Sequence, residues 1–232
     1  MTNVNEVLEM LRSAADVENL AGMARYGINS EKRLGVKVPR MRQIAKTVGR
    51  DHQLALDLWE TGIPEAMVVA SMVDEPELVT ESQMDKWVAD FNSWEVCDQV
   101  CMNLFDKTNY SWGRIEAWHK RQPEFVRRAA YALIACLAWH DKRAPDEKFI
   151  ELIPLIEEAA VDERNYVKKA VSWALRNIGK RNQRLHQVAL ETAQKLIQSE
   201  SKTARWIGMD TVKDITSSAA QKRLLRMGQG EI

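Results

Sequence analysis

The feature that most constrains this chain is a segment that occurs twice. Phe125-Val126-Arg127-Arg128-Ala129-Ala130 returns 41 residues later as Tyr166-Val167-Lys168-Lys169-Ala170-Val171. A weaker echo, Lys202-Thr203-Ala204-Arg205-Trp206, follows Lys168 at an offset of 34. A period near 40, built on helical patterning, points to stacked helix pairs of HEAT type. Each repeat of this kind buries its apolar face only against its neighbours. The alanines allow close helix packing, and the long basic side chains beside them are free to line the inner surface. The expectation is an all-α, curved HEAT-like helical-repeat solenoid, one domain over residues 1–232.

The rest of the chain has the same periodicity, and strand alternation is scarce. Val4 to Leu11 and Asp16 to Arg25 read as short amphipathic helices, the second ended by Gly27 and Asn29. Pro39 suits the first turn of a helix that carries Met41, Ile44, Ala45 and Val48 and stops near Gly49. Further helices are expected near 51–60, 64–73, 80–90, 93–106, 112–121, 123–139, 146–159, 164–179, 183–198, 203–214 and 217–226.

Charge is partitioned. Lys plus Arg and Asp plus Glu each total 33, so no whole-molecule field draws the chain to a polyanion. Locally the picture differs. Residues 31–50 hold seven bases and one acid, 51–100 one base and twelve acids, and 117–232 21 bases and 14 acids. A nucleic-acid surface would have to be built from the basic regions.

Several chemistries lack their signatures. There is no phosphate loop, dinucleotide fingerprint or HExxH motif, and the four histidines are scattered. The cysteines, Cys97, Cys101 and Cys136, are too few and odd in number for a disulfide framework. Cys97 and Cys101 share a helical face, but no histidine stands at ligand spacing. No metal or cofactor is expected. No run of 18 apolar residues and no basic start followed by a long apolar run occurs, so neither a membrane span nor a signal peptide is expected and the expected location is cytoplasmic.

Two segments carry potential chemistry. In Asn92-Ser93-Trp94-Glu95-Val96-Cys97-Asp98, Trp94 and Asp98 are one turn apart on a helix. An indole face and a carboxylate together attract a cation, and the carboxylate can orient or deprotonate a water. The alternative reading has Trp94 in the core and Asp98 bridging to an arginine. In Lys168-Lys169-Ala170-Val171-Ser172-Trp173-Ala174-Leu175-Arg176, residues Lys169, Trp173 and Arg176 fall at i, i+4 and i+7. That stripe suits phosphates on the cations and a base or sugar on the indole. The alternative there is an inward tryptophan with snorkelling neighbours. Arg128, one repeat before Lys169, extends the stripe.

These segments resemble the AlkD-like DNA alkylation repair proteins, HEAT-like repeat glycosylases. The resemblance runs through Met23-Ala24-Arg25-Tyr26, Leu34-Gly35-Val36-Lys37-Val38-Pro39, Arg42, Ala45-Lys46, Trp94-Glu95-Val96-Cys97-Asp98, Arg128-Ala129-Ala130 and Ala170-Val171-Ser172-Trp173-Ala174-Leu175-Arg176. The order and spacing of the pieces carry it. The resemblance implies a monomer that excises N3- and N7-alkylated purines from double-stranded DNA without a metal or organic cofactor. It implies Asp98 as catalytic carboxylate and Trp94 and Trp173 as the lesion-side tryptophans. It further implies Arg128 and Arg176 at the DNA backbone and Tyr26 as an aromatic near the site. Two other functions remain open: a non-catalytic binder of damaged or branched DNA on the same scaffold, and a HEAT-like protein-interaction module.

Overall fold

A computed structural model describes residues 2–24 and 31–228. Among them are fifteen α-helices, one 3-10 turn and no strand. The chain forms two compact units, residues 1–111 and 112–232.

The first unit contains α1 (Val4–Arg12), α2 (Val17–Ala24), α3 (Val38–Val48), α4 (His52–Glu60), α5 (Pro64–Val73), α6 (Glu81–Ala89) and α7 (Trp94–Asn103). Short polar residues start four of them. Asn3, Asp51, Thr80 and Ser93 each accept a hydrogen bond from a first-turn backbone N–H, replacing a partner that the helix itself cannot supply. α5 is the hub. Its run Ala66-Met67-Val68-Val69-Ala70 is buried all round, and it packs against α1, α3, α4 and α7. Burying side chains of this size contributes roughly 1.5–3 kcal/mol for each Val or Met. Trp59 and Trp87 stack at 3.9 Å between centroids, and the indole N–H of Trp59 donates to Asp90 at 2.8 Å. Gly35, at φ +75°, takes a left-handed conformation that suits glycine, and a Cβ there would fall on the carbonyl oxygen of Asp16.

The second unit contains α8 (Ser111–Trp118, starting at the boundary), α9 (Glu124–His140), α10 (Asp146–Ile150), α11 (Ile153–Ala159), α12 (Asn165–Gly179), α13 (Gln183–Ile197), α14 (Lys202–Ile215) and α15 (Ser218–Gly228). The two copies of the repeated segment open α9 and α12, and these helices pack on one another. Val126, Val167, Ala129 and Ala170 are all buried. The rings of Phe125 and Tyr166 lie 5.3 Å apart.

Hydrogen bonds join the copies at nearly constant sequence separation. Tyr166 N donates to Glu124 Oε1 and Asn177 Nδ2 to the carbonyl of Ala135, both across 42 residues. Arg181 Nη1 reaches the carbonyl of Ala138 across 43. α12 packs in turn on α14. Gly208 sets how closely α14 approaches α13, because a Cβ there would lie 2.5 Å from the Ala193 carbonyl oxygen.

Most expected helices are present within a few residues, with two differences. The helix expected over 146–159 is broken. Pro154 has no N–H and its ring clashes with the carbonyl four residues back; α10 accordingly stops at Ile150, and α11 restarts at Ile153 with the proline in its first turn. The helix expected over 93–106 ends at Asn103, and a 3-10 turn follows at Phe105–Lys107. That change of geometry aims both Leu104 and Phe105 into the core, where each is fully buried. The expected end of α2 at Gly27 and Asn29 lies outside the described residues.

Candidate nucleic-acid interface

In the first unit, Ser93 caps α7 and Trp94 is its first residue. Val96, Cys97, Val100 and Cys101 point into the core and are fully buried. Helical geometry then puts Trp94 and Asp98, one turn apart, along the edge of that buried face, both half-buried. The expected i, i+4 pairing is therefore present.

The start of α7 is held by polar groups from elsewhere in the unit. Arg33 Nη1 donates to Glu95 Oε2 at 2.5 Å, and Arg33 Nη2 donates to Ser93 Oγ at 2.9 Å. Glu65, 1% exposed, accepts from the backbone N–H groups of Leu34 and Gly35 at 3.1 and 2.8 Å. Residues 33–35 are thus tied both to the first turn of α5 and to the first turn of α7. Burial raises the pKa of Glu95, and the Arg33 charge opposes that rise.

Near the far end of α7 is a basic pocket of about 370 Å³ that the sequence reading did not single out. Arg42, Lys46, Arg50, Asn103 and Lys107 line it. Three helix C-termini contribute to this region. Arg50 donates to the carbonyl of Asp74 beyond α5, and Lys107 Nζ donates to the carbonyl of Asn103 on α7 at 2.5 Å. Lys46 lies in the last turn of α3. Cations here answer the partial negative charge of helix ends. The basic run 31–50 was the available signal, but Lys107 lies far from it in sequence.

In the second unit, α12 presents the expected stripe. Lys169 is exposed, and Trp173 and Arg176 are half-buried. Lys180 continues the stripe one turn further. The next helix partly neutralises it. Asp210 on α14 lies 3.5 Å from Arg176 Nε and accepts from Ser172 Oγ at 2.5 Å, and Asp214 pairs with Lys180 at 2.7 Å. Beside the stripe, Lys168 Nζ sits 5.4 Å from the centroid of the half-buried Trp206 ring.

Arg128 differs from its repeat counterpart. Lys169 opens to solvent, whereas Arg128 is 5% exposed and its Nη1 donates to the Tyr166 carbonyl at 2.5 Å. Tyr26 lies outside the described residues. All three cysteines are buried and none is in a disulfide. Among the described residues no group of His, Cys, Asp or Glu is arranged to hold a metal ion, and no helix is long and apolar enough to cross a membrane.

These observations define a helical-repeat protein of HEAT type with an aromatic–carboxylate pair on one helix and a basic–aromatic stripe on another. The model of the DNA alkylation repair enzyme family matches residues 7–214, and the chain belongs to that family. A solved structure described as a new family of proteins related to the HEAT-like repeat DNA glycosylases, with affinity for branched DNA structures, is similar. Its TM-score is 0.75 at 19% identity, over 99% of this chain and 96% of that one. The likeness shows the shared fold. An engineered protein gives a TM-score of 0.39 at 16% identity, over 100% of this chain and 87% of that one. A designed armadillo repeat protein in complex with a peptide gives 0.34 at 16% identity, over 82% and 80%. Nothing among curated proteins matches.

Proposed function

We propose that this protein is a DNA glycosylase that hydrolyses the N-glycosidic bond of cationic N3- or N7-alkylated purines in duplex DNA. The observation that carries the reading is the pairing of Trp94 with Asp98, both half-buried, on α7, in a chain of the DNA alkylation repair enzyme family. An alkylated purine already bears positive charge and leaves with the electron pair of the broken C1′–N bond. The deoxyribose then becomes electron-poor. The Asp98 carboxylate stabilises that charge and orients the water whose oxygen bonds to C1′, while the water's proton passes to solvent or to the carboxylate. Trp94 packs against the sugar and adds cation–π attraction. In this reading Trp173, on α12, is also a DNA-contacting aromatic.

Lys169 and Arg176 contact backbone phosphates. The same role is assigned to Arg128, which is 5% exposed and bonded through Nη1 to the Tyr166 carbonyl. A base that leaves readily needs no strong general acid and no deep pocket to hold it extruded, unlike targets that must be flipped.

Release of N7-methylguanine from duplex DNA, measured for wild type beside Asp98→Asn, tests the reading. Release by wild type and its loss in the variant support it. A second reading is favoured by the description of the similar structure as having affinity for branched DNA: the same surface binds DNA junctions without chemistry. Tight binding of a four-way junction, with no base release from any cationic purine, would establish that reading instead.

A further inference from the structure

Trp139 is 44% exposed near the C-terminal end of α9, whereas Trp59, Trp87 and Trp118 are 3%, 1% and 2% exposed. Cations flank its ring. The guanidinium carbon of Arg223, from α15, lies 3.9 Å from the ring centroid, and Lys142 Nζ lies 5.5 Å from it. Among the described residues neither cation makes an ion pair with a carboxylate. Arg181 adds a third positive charge nearby, but it is 7% exposed and bonded to the carbonyls of Ala138 and Ala144. Asp141 and Asp146 attract Arg181 electrostatically; Asp141 also accepts from the backbone of Arg143 and Ala144, and Asp146 from Asn182. The Lys142 ammonium is held below the ordinary lysine range, first by partial burial and then by repulsion from Arg223 and Arg181. Like charges placed together, as Lys142 is with Arg223 and Arg181, are a cost that a bound anion lowers.

The repeat gives the cluster its place. Trp139 lies eleven residues after Arg128, three turns along α9 and on the same line of the helix. It also lies 41 residues before Lys180, the repeat offset. Trp139 therefore holds, on α9, the position that Lys180, the residue after α12, holds at the end of the stripe Lys169, Trp173, Arg176.

We propose that Trp139, Lys142 and Arg223 form a contact site for the phosphodiester backbone of DNA, separate from the Trp94–Asp98 pair. The two cations hold one phosphate, and the exposed indole packs on the neighbouring deoxyribose. A nucleic-acid backbone alternates these two chemistries, whereas a free anion uses only the first. The inference rests on the DNA-binding reading above.

The test is a titration of unmodified duplex by fluorescence anisotropy at several salt concentrations. Each neutralised phosphate contributes about 0.9 to the log–log salt slope. Lys142→Gln with Arg223→Gln is expected to lower the slope by about 0.9 and to weaken binding several-fold at low salt. Trp139→Ala is expected to weaken binding with the slope unchanged. Lys86→Gln removes one charge from an exposed pair with Glu60 and is expected to change neither quantity.

If wild type binds and the double variant binds with the same slope, this inference fails while the DNA-binding reading stands. If wild type does not bind DNA, both fail. If the cations only dock α15, Arg223→Gln lowers the melting temperature and Lys142→Gln leaves binding intact; that result also overturns the proposal. Lys142→Gln alone keeps the test decisive, because Lys142 is exposed and its removal leaves α15 untouched.

Discussion

Arg33 and Glu95 form an ion pair at 2.5 Å inside the first unit, with side chains 1% and 10% exposed. Their pairing fixes the residue next to Trp94, so the local strength of α7 depends on a charge balance 62 residues apart in sequence. Burial raises the pKa of Glu95 against the pull of Arg33. A raised carboxylate pKa means that the folded state binds its proton more tightly. That stabilising contribution is complete below the ordinary carboxylate pKa and is lost as pH climbs through the raised value. Arg33→Met keeps an unbranched apolar stem and removes the pull. The expected loss is about 3–5 kcal/mol near neutral pH, where an ionised Glu95 is left without its counter-charge. The loss shrinks in acid, where Glu95 is neutral. Urea unfolding at pH 7 and near pH 4 checks this; equal losses at both would show that packing, not charge, holds α7.

Gly35 gives a second, independent test of the same region. Its φ of +75° and the Asp16 carbonyl that a Cβ would strike make alanine unfavourable twice over. The backbone conformation alone costs roughly 1–2 kcal/mol for an L-residue. Gly35→Ala is expected to lower stability by at least that much. The strain would pull on the Glu65 bonds to Leu34 and Gly35 that anchor the segment. Thermal unfolding of the variant reads the effect directly, and an unchanged midpoint would contradict it.

What was legible in the sequence follows from what each signal measures. The 41-residue repeat and helical periodicity report packing between near neighbours in the chain, and α9, α12 and the cores they bury correspond closely to that pattern. Helical periodicity runs through Pro154 and does not mark the break that the proline makes, so it predicts one helix where two stand. The i, i+4 relation of Trp94 and Asp98 is a property of any helix and was readable before the structure. The support beneath it was not, because Arg33, Glu65 and Glu95 meet only through the tertiary fold. The repeat also hid a difference. Arg128 and Lys169 occupy the same place in two copies, yet arginine is long and planar enough to reach a carbonyl in the next repeat, and Lys169 turns to solvent. The Arg42–Lys107 pocket joins the ends of α3 and α7, and no local pattern shows such a meeting.

Asp210 offers a prediction with an unusual sign. Its carboxylate lies 3.5 Å from Arg176 and accepts from Ser172. In the proposed complex it competes with phosphate for Arg176 and repels the backbone. Asp210→Asn keeps a group able to bond Ser172 and removes the competing charge. Duplex affinity at low salt is expected to rise a few-fold, and the log–log salt slope to steepen by up to about 0.9 if Arg176 gains one phosphate. Arg176→Gln should weaken modified and unmodified DNA together. Opposite responses of the two variants in one anisotropy series support a phosphate role for Arg176; no change in either removes it from the interface.

Asp98 carries the chemical proposal and the most demanding test. Asp98→Asn preserves size and part of the hydrogen bonding while removing the negative charge. Where the carboxylate stabilises positive charge on the sugar, single-turnover release of N7-methylguanine should fall by roughly 10²–10³-fold. That range corresponds to about 2.7–4 kcal/mol of preorganised electrostatic stabilisation, by analogy with removing one oxyanion-hole donor in other enzymes. DNA affinity should not fall with it and can rise slightly, since a carboxylate near phosphates repels the backbone before reaction. Trp94→Ala and Trp173→Ala should each slow the same step less than Asp98→Asn does, because an indole supplies packing and cation–π attraction rather than a full charge. Saturating enzyme is required so that weaker binding is not read as slower chemistry. Unfolding measured in parallel separates a lost charge from a damaged α7, whose first turn also carries the Ser93 cap and the Glu95 pair. An Asp98→Asn protein that folds normally and releases base at the wild-type rate would make Asp98 a structural residue and remove the basis for the catalytic reading.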